Sequence, residues 1–347
     1  MLPTFQIVRL LTITAACFML ALFAAPFLIR TLRRLKIGKT IRTSESAPIM
    51  ANLHAAKAGT PTMGGVVIWL TVAVVLLALS VGCSLFGGAW CSWNFFSRTQ
   101  TLLPFGAMIA AALVGLLDDY LNMKKIGPSG GGLRMRHRLI SYSIIAVGGA
   151  WWFYSKLGWD TIHVPFVGDL ALGWPYILFF AFVLIATSNS VNVTDGLDGL
   201  VGGPLVASFT AYAVIALVQG KMDLAVFCSA IVGALLAFLW FNVTPAAFFM
   251  GDTGAMSLGT TLGVVAMLTN QPLLLPIIGS LFVIESISVL TQLTSKKLFK
   301  RKLLKSAPIH HHLEAIGWTE PQIVFRAWII SMFSAGVGVV LALMERS

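Results

Sequence analysis

Long apolar stretches recur along nearly the whole chain, and they restrict its fold more than any other feature. A helix needs roughly 20 mostly apolar residues to cross a bilayer, and about ten such stretches are separated here by polar or Gly/Pro breaks. They cover residues 5–29, 63–81, 102–117, 139–155, 174–190, 202–218, 224–241, 255–269, 272–294 and 325–343. Only 11% of the residues are charged while 57% are hydrophobic, so polar groups are too few to cover a water-soluble surface, and a membrane is the solvent this composition requires. The expected fold is all-α, a polytopic integral membrane protein of about ten transmembrane helices. No soluble domain and no internal repeat is recognisable, so residues 1–347 are expected to form a single membrane domain.

The first stretch is too long for a signal peptide, and Arg30, Arg33 and Arg34 follow it rather than precede it. It is expected to stay in the mature protein. Orientation follows from the Lys and Arg residues of alternate connections. Arg30, Arg33, Arg34, Lys36, Lys39, Arg42 and Lys57 fall on one side, with Lys124, Lys125, Arg134, Arg136 and Arg138, and with Lys296, Lys297, Lys300, Arg301, Lys302, Lys305 and Arg326. Arg9, Arg98, Lys156, Lys221 and Arg346 remain for the other. This bias makes the first side cytoplasmic and places both termini on the periplasmic or extracellular side. The net charge of +11 is then a topology signal first and an attraction for membrane lipids second; it calls for no nucleic acid.

Cys17 and Cys228 fall inside spans, whereas Cys83 and Cys91 share one outward loop, where spacing alone does not establish a bridge. Residues 161–172 alternate apolar side chains around Gly168-Asp169, which suits a small hairpin or an irregular connection. The run KKLFKRKLLK, 296–305, suits a helix lying on the cytoplasmic interface or a plain run of topogenic charge.

Five polar motifs share the cytoplasmic side: HAAKAGTPTMGG (54–65), DDYLNMKK (118–125), NSVNVTDGLDG (189–199), FNVTPAAFFMGDTG (241–254) and PIHHHLE (308–314). They bring Asp118, Asp119, Asp195, Asp198 and Asp252 to the membrane boundary, where mutual repulsion calls for a cation. Asp118 and Asp119 end the third span at its negative dipole end; such a pair can bind a hard metal, orient a phosphate or accept a proton. Asn192, Asp195 and Asp198 recur every third residue, presenting oxygens on one face or simply forming turns. Asp252 suits a helix N-cap or a metal-phosphate site. Phe248 and Phe249 suit core packing, or one of them a stack with a nucleobase. Thr60-Pro61 reads as an N-cap followed by the first helical position, while Gly59, Gly64 and Gly65 with Lys57 could cradle an anion. His310, His311 and His312 suit hydrogen bonding to a pyrophosphate better than a zinc site, with a solvated run as the alternative. Glu285, deep within a span, is a functional candidate by position alone.

Taken in order, HxxKxGTPTMGG, NxTDGLDGL, FNxxPAxxFMGDTG and PIHHHLE resemble the phospho-N-acetylmuramoyl-pentapeptide transferase family, within the polyprenyl-phosphate N-acetylhexosamine-1-phosphate transferases. TPTMGG and the triple histidine point to the muramoyl branch. The resemblance implies Mg2+, UDP-MurNAc-pentapeptide as donor, undecaprenyl phosphate as acceptor, and lipid I with UMP as products of the first membrane step of peptidoglycan synthesis. It assigns Asp252 to the metal, Asp118, Asp119 and Asp252 to catalysis, and Lys57, Thr62, Asn192, Asp195, Gly196, Asp198, Asn242, Phe249, Gln292, His310, His311 and His312 to substrate binding. A homodimer is a further expected partner state. One position departs from the family: a lysine often follows the aspartate pair by three residues, and here Asn122 stands there. A UDP-GlcNAc-dependent enzyme of the same fold and a secondary transporter are the rival readings.

Overall fold

The computed structural model describes residues 4–35, 38, 57, 59–127 and 131–344. His54, at the head of the first motif, and Lys36, Lys39, Arg42 and Arg346 lie outside the described residues. The chain is an all-α membrane protein carrying one small hairpin. Its helices are α1 (Thr4–Arg34), α2 (Val66–Phe86), α3 (Ala89–Trp93), α4 (Leu102–Met123), α5 (Met135–Lys156), α6 (Pro175–Thr194), α7 (Gly202–Val218), α8 (Met222–Asn242), α9 (Gly251–Leu268), α10 (Leu275–Ile278), α11 (Ser280–Phe299), α12 (Ile309–Ala315) and α13 (Glu320–Met344). Six of the described helices are each long and apolar enough to span a bilayer, and seven spans result if the bent pair ending in α11 is one of them.

Helix α1 buries one narrow stripe, Ile13, Cys17, Ala21, Ala25 and Ile29, at a spacing of four, and packs it on α8. Its other faces carry exposed Phe23 and Phe27, as lipid contact requires. Helix α9 is the opposite case, buried at every position from Thr253 to Leu268 between α4 and α6. Its Gly, Ser, Thr and Ala content lowers its hydropathy but lets neighbouring backbones approach closely, the usual composition of a helix surrounded by other helices.

Of the two readings of residues 161–172 the hairpin is the one that forms: β1 (Thr161–Val164) pairs antiparallel with β2 (Gly168–Ala171). Cys83 and Cys91 are joined in a disulfide between α2 and α3. Several boundaries differ from expectation. Residues 272–294 are not one straight span but a pair of helical segments bent by 84°; Pro272 and Pro276 lack backbone donors, and Gly279 leaves helical geometry. The basic run does not continue as a helix, because α11 stops at Phe299 and Lys300 is left-handed with φ 54°. Thr60-Pro61 does not start α2, which begins at Val66.

Candidate functional site

At one end of the bundle the 57–65 segment and the 247–252 segment hold each other by main-chain bonds. Phe249 N–H donates to Pro61 O (2.8 Å), Gly64 N–H to Phe249 O (2.7 Å) and Gly65 N–H to Met250 O (2.8 Å). A Cβ on Gly65 would run into the backbone of Gly254, and Gly251, at φ 73°, leaves space occupied by Asp119 Oδ2 and Thr62 Oγ1. These glycines are therefore required by close approach rather than by turn geometry alone.

The clasp walls a cavity of about 120 Å3 whose lining includes Thr62, Asp119, Asn122, Asn192, Asp195, Phe249 and Asp252. Helix α4 runs one turn beyond the aspartate pair, so Asp118 and Asp119 are buried within it rather than closing it. Asp119 accepts from Asp252 N–H (3.1 Å) and Thr253 N–H (3.0 Å). It thus caps α9 from a different helix, meeting that helix's positive end. Asp252 is the second residue of α9, and its own carboxylate makes no cap bond. Instead it accepts from Asn192 Nδ2 at 2.5 Å and from Arg138 Nη2 at 2.9 Å. Asp118 accepts from Leu133 N–H and pairs with the same Arg138 Nη2, each at 2.5 Å.

A second cluster adjoins this corner. Lys57 Nζ donates to Asp198 Oδ1 (2.6 Å) and Glu320 Oε1 (2.5 Å), and lies 6.0 Å from the centroid of the Phe249 ring. Asp198 also accepts from Ala246 N–H (3.0 Å), and its own N–H donates to Glu320 (2.6 Å). Phe248 is fully buried against Phe238 and Phe241, which leaves Phe249 as the aromatic at the cavity wall. Asn242 ties the two loops, accepting from Gly199 N–H and donating to Phe248 O. Gln292 is bonded to the backbone of Leu303 and Leu304, so its amide holds the segment after α11. His310 and His311 lie against Glu285 and Glu314 respectively, and His312 Nδ1 accepts from Lys305 N–H.

Oxygens of Asp118 and Asp252 converge on one nitrogen of Arg138. Among the described residues no group of three or more His, Cys, Asp or Glu side chains is arranged to hold a metal. Two carboxylates fit Mg2+, which keeps most of its shell for water and phosphate oxygens.

The same segments carry the similarity to known proteins. The phospho-N-acetylmuramoyl-pentapeptide-transferase signature 1 matches residues 57–68, and the glycosyl transferase family 4 pattern matches residues 101–270. A protein of Desulfosudis oleivorans named phospho-N-acetylmuramoyl-pentapeptide-transferase is 39% identical, covering 96% of this chain and 93% of its own. Proteins of the same name from Geobacillus thermodenitrificans and Chloroflexus aggregans are 40% and 39% identical, over 94% and 96% of this chain. This chain belongs to the phospho-N-acetylmuramoyl-pentapeptide-transferase family.

Within that family framework, the structure adds two charged residues that sequence reading treated as topology or passed over. Arg138 was counted as a cytoplasmic charge, yet it is the cation between Asp118 and Asp252. Glu320 opens α13 and anchors Lys57. The visible signal for Arg138 was its place at the end of the polar stretch that follows the aspartate pair, at the start of α5; Glu320 carried none. At the departing position Asn122 lines the cavity, while Lys124 Nζ sits 5.9 Å from the Tyr120 ring centroid.

Proposed function

We infer that the protein transfers phospho-MurNAc-pentapeptide from UDP-MurNAc-pentapeptide to undecaprenyl phosphate, releasing UMP and leaving lipid I. The observation that carries this reading is the meeting of the 57–65, 118–119, 192–198 and 249–252 motifs around one cavity at a helix end, in a chain whose near full-length relatives bear that transferase name. The Lys and Arg bias supports a cytoplasmic site in the inner membrane, and a homodimer belongs to the same proposal.

The acceptor is a phosphate monoester with a second pKa of about 6, already largely dianionic near neutrality. It needs little general-base help, and Asp118 accepts from Leu133 N–H through Oδ1 while its Oδ2 lies in an ion pair with Arg138. Orientation or metal ligation suits Asp118 better than nucleophilic attack. Asp252 with Asp118 would hold Mg2+, which would supply charge neutralisation to the donor diphosphate. Arg138 and Lys57 add fixed positive charge, and Phe249 offers a ring face to the uracil. Asn192 holds Asp252 in place, so catalysis rests mainly on positioning.

The test supplies both substrates and Mg2+ and extracts the lipid. Phospho-MurNAc-pentapeptide on the polyprenol, with equal UMP, is the expected outcome. Product from UDP-GlcNAc alone would favour the sister activity, and UMP release without lipid modification would reject the transfer.

A further inference from the structure

The last helix reaches the acidic loops with its first residue. Glu320 opens α13, a position where an acidic side chain commonly does no more than face the positive end of its own helix. Here Glu320 Oε1 instead accepts from Lys57 Nζ at 2.5 Å and from Asp198 N–H at 2.6 Å. One oxygen therefore joins two of the polar motifs, 263 and 122 positions away in the chain. About two turns further along α13, Trp328 Nε1 donates to Gly199 O at 2.9 Å. The consecutive residues Asp198 and Gly199 are thus gripped from a single helix. Val324, between the grips, packs with Leu197 and Leu200, and a Cβ on Gly203 would collide with the Trp328 ring.

Lys57 needs such an anchor. Its long stem has many rotamers, and among the described residues its main chain makes one hydrogen bond, from Thr60 N–H at 3.2 Å. Its ammonium carries three N–H donors. Two go to Asp198 Oδ1 and Glu320 Oε1, which leaves one for a ligand. The side chain is 18% exposed, and Nζ lies 6.0 Å from the centroid of the Phe249 ring at the cavity wall. Asp198 alone would let the ammonium move with its loop. Glu320 ties both to the start of α13, through charge-assisted bonds that a neutral side chain makes more weakly.

We propose that Glu320 is a positioning residue for the nucleotide-sugar donor. It fixes the Lys57 ammonium and the Asp198 main chain relative to each other, so that both meet the donor in one arrangement set by α13. The proposal rests on the donor reading given above. Its consequence is selective: loosening Glu320 costs donor affinity, while the acceptor and the acidic corner around Asp118 and Asp252, which Glu320 does not touch, keep their geometry.

Donor binding and transfer by the full-length protein at constant Mg2+ test this. Glu320→Gln is expected to raise the donor Kd and KM about tenfold, the size of one charge-assisted hydrogen bond, with kcat, acceptor KM and melting temperature near wild type. Glu320→Asp keeps the charge but shortens the reach; a smaller rise is expected, and it carries the same reading should the glutamine variant not accumulate folded. In a Lys57→Met background Glu320→Gln should add little to the donor Kd, because the two side chains act as one unit. An unchanged donor Kd in Glu320→Gln, or effects of the two substitutions that simply multiply, would overturn the proposal. So would a loss shared equally by donor and acceptor with a lowered melting temperature, the mark of a merely structural role. Hydrogen exchange of ligand-free protein needs no donor: the Asp198 amide is expected to exchange faster in Glu320→Ala than in the wild type, and equal rates would overturn the grip. If the wild type binds no nucleotide-sugar, the functional reading fails instead, and the exchange rates still decide whether Glu320 holds the loop.

Discussion

One guanidinium, that of Arg138, serves two carboxylates in the acidic corner, so charge balance there is local and exposed to single substitutions. Asp252→Asn keeps the side-chain size but removes a formal charge from the proposed metal site; transfer should be abolished with folding intact, and near-normal turnover at saturating Mg2+ would reject the assignment. Arg138→Gln leaves buried Asp118 facing Asp252 without its cation. Breaking such a pair costs about 3 kcal/mol or more, so the unfolding midpoint should drop, and added Mg2+ should restore part of the loss if these carboxylates ligate it. Phe249 is 8% exposed at the cavity wall. A base stacked on an aromatic contributes roughly 1 to 3 kcal/mol, so Phe249→Leu should weaken donor binding by about one to two powers of ten while acceptor affinity and thermal stability hardly change. A stability loss with donor affinity untouched would make Phe249 core.

Between elements, the contact that aims the site is the close crossing of the segment before α2 with the start of α9. Gly65 meets Gly254 there without side chains, and Asp119 of α4 caps α9 from the side. Gly65→Ala places a methyl group against backbone that has no flexible side chain to yield. Overpacking of this kind costs about 1–3 kcal/mol, and because the clasp itself opens, donor binding should fall together with the melting temperature in detergent. Unchanged values of both would show that the crossing tolerates a wider gap.

For the whole molecule the decisive property is which end faces the cytoplasm. Ile126, just past α4, and Val167, at the hairpin turn, are both exposed and lie beyond opposite ends of α5. The native cysteines give little background: Cys83 and Cys91 are bonded to each other, and Cys17 and Cys228 are buried. Ile126→Cys should be labelled only from the cytoplasm and Val167→Cys only from outside. The reverse pattern would overturn the orientation and move the site to the wrong face for a nucleotide donor.

Composition and periodicity by themselves determined that this chain is an all-α membrane protein and that residues 202–218 form a helix with those limits, and the motifs pointed to its family. These are local or near-local properties: apolar length decides insertion, and residue type at fixed spacing decides which groups a segment can offer. The break at Gly279 and the end of α11 at Phe299 were harder to read, because proline, glycine and lysine are each tolerated in a helix when neighbours compensate. Tertiary structure alone decided the partners. Lys57 meets Asp198 across 141 positions of sequence and Arg138 meets Asp252 across 114. Such pairings depend on the relative rotation of packed helices, which one helix's sequence does not specify. For the same reason Asp252 proved to be held by Asn192 and Arg138 while Asp119 capped its helix, although the motif alone favoured Asp252 itself as the cap.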